Sequence, residues 1–191
     1  MNRLFVRPYV ATLAGYFTRL KLPLSRMVDR TRPRLSRLIL PYFASVEDLA
    51  AWMDTHLRWR MDRLNGLLDV FPSLEHAAWQ LEHRGQIADD CDGLALVAAQ
   101  GALQLADFPG DVYVVTMVLD PEKLPVTEAA HAICVFRRRG EWYVVSNGKI
   151  DARQYSTFQA AVSQNDYSRG YEIKFLEARD TNLERVAPPD H

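Results

Sequence analysis

The order in which hydrophobic periodicities appear constrains this chain more than any other feature. Apolar residues first recur at spacings of three and four, and only later in the runs that strands require. Val46, Leu49, Ala50, Met53, Leu57, Met61 and Leu64 share one helical face, so a helix is predicted from Ser45 to about residue 65. Ser45 and Asp48 form a capping box with Asp in the glutamate place. Gly66 and Pro72 punctuate the end. Ser73 caps a second predicted helix running to about Glu82, with Leu74, Ala77, Ala78 and Leu81 facing inward. Gly85 to Asp90 is polar and turn-like. A third helix is predicted from about Asp90 to Leu105, and its stripe of Leu94, Ala95, Ala98, Ala102 and Leu105 contains enough alanine for other elements to approach closely.

After Pro109-Gly110 the pattern changes. Val112 to Leu119 is a β-rich run ended by Asp120-Pro121, and His131 to Arg138 is a second strand candidate. Arg137, Arg138, Arg139 and Gly140 read as a solvated hairpin tip before a third candidate, Trp142 to Val145. A short helix is predicted from Tyr155 to Ser163, and a fourth strand from Tyr171 to Leu176. Helices first and strands afterwards define an α+β fold with an antiparallel sheet, because a parallel doubly wound sheet needs the two kinds of element to alternate. At 191 residues one domain is expected, spanning residues 45–180, with an appendage at 1–44 and a frayed tail at 181–191.

The appendage differs in charge. Residues 1–40 carry nine basic groups and one acid, Asp29, for a net charge of +8, so the rest of a chain whose total is −1 carries −9. Prolines at 8, 23, 33 and 41 are expected to break this arm into short pieces. Packing of the arm on its own body, with solvated or paired arginines, is the favoured expectation. Its alternative is docking to an anionic surface or an acidic partner. Arg3, Arg7 and the apolar run Tyr9–Phe17 imitate a signal peptide, but no small-residue cleavage site follows, and Arg19 and Lys21 close the run. Nowhere do 18 apolar residues run uninterrupted, so no transmembrane segment is expected. Two cysteines, Cys91 and Cys134, are too few for a disulfide framework and read as thiols in a reducing cytoplasm.

Cys91 is the chemically informative residue. It stands at the predicted start of a helix, where the dipole favours thiolate, while Asp89, Asp90 and Asp92 oppose ionisation. Its stripe 91, 94, 95, 98 also suits a packing cysteine, and Cys134, among Ile133, Val135 and Phe136, reads as core. A catalytic thiol needs a base. His56, His76 and His83 fall on predicted helices without CxxC or HExxH spacing, so no metal or other cofactor is expected. His191 is in the tail. His131 opens a strand just after Thr127-Glu128, where a side chain can face a cleft.

Cys91-Asp92-Gly93-Leu94-Ala95, then His131-Ala132-Ile133-Cys134-Val135, then Gly140-Glu141-Trp142-Tyr143-Val144-Val145-Ser146-Asn147 resemble the transglutaminase-like superfamily. They are most similar to the bacterial transglutaminase-like cysteine proteinases. The order Cys, His, Asp/Asn matches, with 40 residues from Cys91 to His131 and 16 more to Asn147. The resemblance spans roughly residues 45 to 150 and leaves out the basic arm. It implies a papain/transglutaminase-like fold, in which a core helix carrying the nucleophile packs on the antiparallel sheet. It also implies thiol-mediated acyl transfer on a protein or peptide substrate: peptide or isopeptide hydrolysis, or transamidation if an amine replaces water. Cys91 would attack, His131 would act as the base and Asn147 would orient the ring. The backbone N–H of Cys91 and the side chain of Gln86 are candidate oxyanion donors. The sequence departs from the family at Ser146, where those proteins carry aspartate; Ser146 and Asp151 are therefore candidate supporting residues. That departure, with the acids around Cys91, motivates a second expectation: a non-catalytic binding or assembly module of the same fold, docking an acidic partner through its arm.

Overall fold

The computed structural model describes residues 3–35, 37–61, 73–107 and 110–189. Its core is a six-stranded antiparallel sheet in the order β6-β5-β4-β3-β7-β8, formed by β3 (Asp111–Leu119), β4 (Ala130–Arg138), β5 (Glu141–Ser146), β6 (Lys149–Ile150), β7 (Ile173–Arg179) and β8 (Arg185–Val186). A separate parallel pair joins β1 (Leu57–Trp59) to β2 (Ile87–Asp89). The helices are α1 (Arg3–Gly15), α2 (Lys21–Asp29), α3 (Val46–His56), α4 (Leu74–Arg84), α5 (Cys91–Ala102), α6 (Val126–Ala129) and α7 (Phe158–Gln164). The fold is α+β, as the ordering of periodicities requires.

The central strands are apolar on both faces because both faces are covered. On one side Val112, Val114, Ala132, Cys134 and Phe136 pack with α3 and α5 residues such as Leu49, Met53, Leu94 and Ala98. On the other, Val115, Met117, Ile133, Val135 and Trp142 pack with Phe158, Ala161 and Val162 of α7. Every residue from Asp92 to Ala99 is buried, so α5 is the central helix. Its small residues allow this: a Cβ on Gly101 would lie 2.8 Å from Leu49 Cδ1 of α3. Cys134 is fully buried at mid-strand.

The first long helix is capped as its sequence demands, with Asp48 N–H donating to Ser45 Oγ and Ser45 N–H to Asp48 Oδ2, both at 3.1 Å. It stops at His56, however, short of the expected residue 65. Leu57 adopts extended backbone and starts β1, and the predicted turn at 85–90 contains β2, its partner. Leu64, Gly66 and Pro72, which shaped that expectation, lie outside the described residues, as does Pro109. The fourth strand runs to Arg179 rather than stopping at Leu176. Within the expected tail, Arg185–Val186 pairs with β7. Arg138, expected to be solvated, is 8% exposed and donates to the Ala44 carbonyl at 3.3 Å.

The largest departure is the N-terminal arm. Its described backbone is helical from Arg3 to Asp29, through a π-helical turn at Tyr16–Leu20, and Pro8 and Pro23 lie inside helices rather than ending them. The arm packs on the body. Phe17 is buried and stacks on Phe175 with ring centroids 6.2 Å apart. The buried Arg179, paired with Glu177 at 2.6 Å, donates to the Phe17 carbonyl at 3.2 Å. Lys21 reaches Asp92 at 2.6 Å, with the two side chains 2% and 0% exposed.

Candidate functional site

The backbone brings Cys91 to the head of α5 by a sharp sequence of events. Gly85, at φ 69°, ends α4 in the left-handed conformation that glycine adopts without strain. Three residues of β2 follow, and then Asp90, in extended backbone, serves as the N-cap. The first intrahelical bond runs from Leu94 N–H to the Asp90 carbonyl at 3.1 Å. The N–H groups of Cys91, Asp92 and Gly93 therefore precede the helical ladder and point toward the helix N-terminus.

Cys91 is half-buried at the head of α5, and the backbone N–H of Ala132 favours negative charge on its sulfur. Burial first, then the carboxylates of Asp92 and Asp90, push the thiol above its ordinary pKa. The Lys21 ammonium and the Ala132 N–H pull the other way. Asp92 is wholly buried in the first turn of α5, where the helix dipole favours an anion and Lys21 supplies the countercharge. A lysine of the basic arm thus sits within one residue of the candidate nucleophile.

His131 is the second residue of β4, immediately before Ala132. The imidazole is 5% exposed, and burial lowers its pKa to about 4, so it is neutral at pH 7. Nε2 is 2.8 Å from Ser146 Oγ. The contact follows from register: Ile133 pairs with Ser146, and His131 shares a strand face with Ile133, which sets His131 and Ser146 diagonally on one face. Tyr167 stacks on the imidazole at 3.8 Å between centroids and donates its phenol hydrogen to the Glu128 carbonyl. Among the described residues nothing hydrogen-bonds Nδ1, and Cys91 and His131 are not hydrogen-bonded to each other.

The remaining expected residues are placed differently. Asn147, expected to orient His131, is exposed at φ 51° and followed by Gly148 at φ 77°. Two successive positive φ values make a tight hairpin turn closed by the Ser146–Lys149 pair. Asn147 therefore serves the turn, and the imidazole contact expected of it belongs to Ser146. Asp151 is also engaged elsewhere, accepting hydrogen bonds from Tyr155 Oη at 2.7 Å, Arg153 N–H at 3.0 Å and Asp166 N–H at 3.1 Å. Burial alone would raise its pKa, but these bonds hold it below the usual carboxylate range. Through Asp166 it fixes the loop that presents Tyr167. Gln86 is exposed in a bend.

Tyr167 is the residue that sequence reasoning missed. It lies in the polar stretch Gln164 to Ser168, which has no periodicity, and only the fold carries it to the imidazole. Burial first, and then the proximity of the ionisable groups of Cys91 and Glu128, raise the pKa of its phenol. The other described histidines have structural partners: His56 stacks on Trp52, and His76 and His83 stack on Trp79. Among the described residues no group of His, Cys, Asp or Glu is arranged to hold a metal ion, and no helix is long and apolar enough to cross a membrane. Compared with known proteins, the sequence matches no family model, no curated protein and no solved structure.

Proposed function

We propose that the chain is a thiol-dependent acyl-transfer enzyme with a papain/transglutaminase-like arrangement, acting on a peptide or isopeptide bond through Cys91, His131 and Ser146. One observation carries this reading. His131 Nε2 is held 2.8 Å from Ser146 Oγ and its ring is stacked on Tyr167, while the thiol at the head of α5 is favoured as thiolate by the N–H of Ala132, the residue after His131. The reaction uses the tautomer in which Nε2–H donates to Ser146 Oγ, which leaves Nδ1 as the basic nitrogen.

At rest both groups are neutral, since burial raises the thiol and lowers the imidazole. Nδ1 takes the thiol proton as sulfur attacks the carbonyl carbon, and the oxyanion develops near the free N–H groups at the head of α5. The imidazolium then protonates the leaving amine as the C–N bond breaks, giving a thioester. Water attacks that thioester, transfers its proton to Nδ1, and releases the acid and the thiol. An amine in place of water gives transamidation. Ser146 orients the ring as Asn147 was expected to do, but a hydroxyl gives the imidazolium no charge stabilisation, so a modest rate is expected.

The same neutrality favours a second reading, a non-catalytic module of this fold whose basic arm docks an acidic partner. Alkylation by iodoacetamide between pH 6 and 9, followed by mass spectrometry, separates the two. The catalytic reading expects Cys91 to label far faster than Cys134, and His131→Ala to slow Cys91 by about ten-fold or more. Equal rates at the two cysteines, or indifference to His131→Ala, would sink it.

A further inference from the structure

The inward side of the arm is accounted for by Phe17, Lys21 and Ser25, all buried. Its outward side is unusual. Leu20 and Met27 are 56% and 61% exposed, although large aliphatic side chains normally turn inward. Each directly follows an exposed arginine: Arg19-Leu20 and Arg26-Met27 stand seven residues apart, which is two helical turns. Exposed Arg30 lies four residues beyond Arg26, on the same side. Among the described residues none of these three arginines is paired with a carboxylate. The outward face therefore carries a basic stripe beside an apolar stripe on a helix already fixed to the body by Lys21–Asp92 and Phe17–Phe175.

We propose that this face of the helix is a docking surface for an anionic lipid bilayer. A nucleic acid or an acidic protein surface would engage the guanidiniums but would leave Leu20 and Met27 in water. A bilayer interface satisfies both stripes at once, with arginines at the phosphates and the aliphatic side chains just below them. The excess of basic groups over residues 1–40 supplies the long-range attraction. The helix is already folded and docked, so binding carries little ordering cost. Nothing in this assignment depends on the chemistry of Cys91.

Flotation of the intact protein with vesicles of phosphatidylcholine, with and without phosphatidylglycerol, tests it. Binding is expected only to the anionic vesicles, weakening as salt rises. The variant R19Q/R26Q/R30Q should lower partitioning by about a hundred-fold, and L20S/M27S by about ten-fold. All five side chains are exposed, so both variants should melt like the parent. Failure of the intact chain to float with anionic vesicles at low salt would overturn the proposal. So would an L20S/M27S variant that binds vesicles and a random-sequence DNA duplex as the parent does, since the face would then be a general polyanion site.

Discussion

Lys21 and Asp92 show how burial changes the worth of a charge. On a surface such a pair contributes about 0–1 kcal/mol. Here both groups are out of water, and removing one leaves the other uncompensated. Lys21→Met is expected to lower unfolding free energy by about 3–5 kcal/mol, and K21M/D92L to recover most of that loss. Urea denaturation of the four proteins closes the cycle, and additive losses would contradict it. His131 carries a second consequence of burial. Its folded-state pKa of about 4 lies below the ordinary 6.5, so the unfolded chain takes up the proton first. The contribution of the neutral ring is complete above the ordinary pKa and declines as pH falls toward the folded one, by roughly 3 kcal/mol in all. His131→Gln should remove that slope; identical pH dependence of stability in parent and variant would refute it.

At the scale of elements, the β5–β6 turn decides which residue meets the imidazole. Gly148 holds φ 77°, and a Cβ there would lie 3.1 Å from the Leu57 side chain, on the strand that ends α3. Gly148→Ala should therefore cost about 1–3 kcal/mol and loosen the Ser146 contact, read as a lower melting temperature and a shift in the His131 ring resonances. Much of this level was legible in the sequence. The capping box at Ser45, the cap at Ser73, the start of α5 at Cys91 and the long strands follow from local chemistry and periodicity. What was hidden arises from pairing at a distance. Leu57 fits a helical face, but it turns extended to meet Ile87. Asn147 was expected to orient the imidazole, but its neighbour is glycine, and the dipeptide is used as a hairpin turn. Ser146, a supporting candidate in the sequence, takes the imidazole contact because register places it there, and Tyr167, which the sequence did not signal, because a loop tied to Asp151 does.

For the whole molecule, the near-neutral total conceals a division of labour inside one helix. The arm was separable in the sequence because its charge, rather than its hydrophobic pattern, set it apart. Proline counting misjudged it: Pro8 and Pro23 are accommodated within the helical path, and Phe17 and Lys21 make it part of the core. Its inward face brings Lys21 to Asp92 beside Cys91, and its outward face exposes Arg19, Leu20, Arg26, Met27 and Arg30.

The reach of these contacts sets the order in which the molecule can be finished. Arg179 bonds the Phe17 carbonyl across 162 positions of chain. During synthesis the arm leaves the ribosome before Asp92, Phe175 and Arg179 exist, so its contacts with the body form only after those later segments have been made. Its leucines, arginines and lone lysine are then all available to whatever the nascent chain meets. Phe175 and Arg179 of the seventh strand hold the arm at Phe17, so the seating of the helix that carries Lys21 to Asp92 draws on contacts from widely separated parts of the chain.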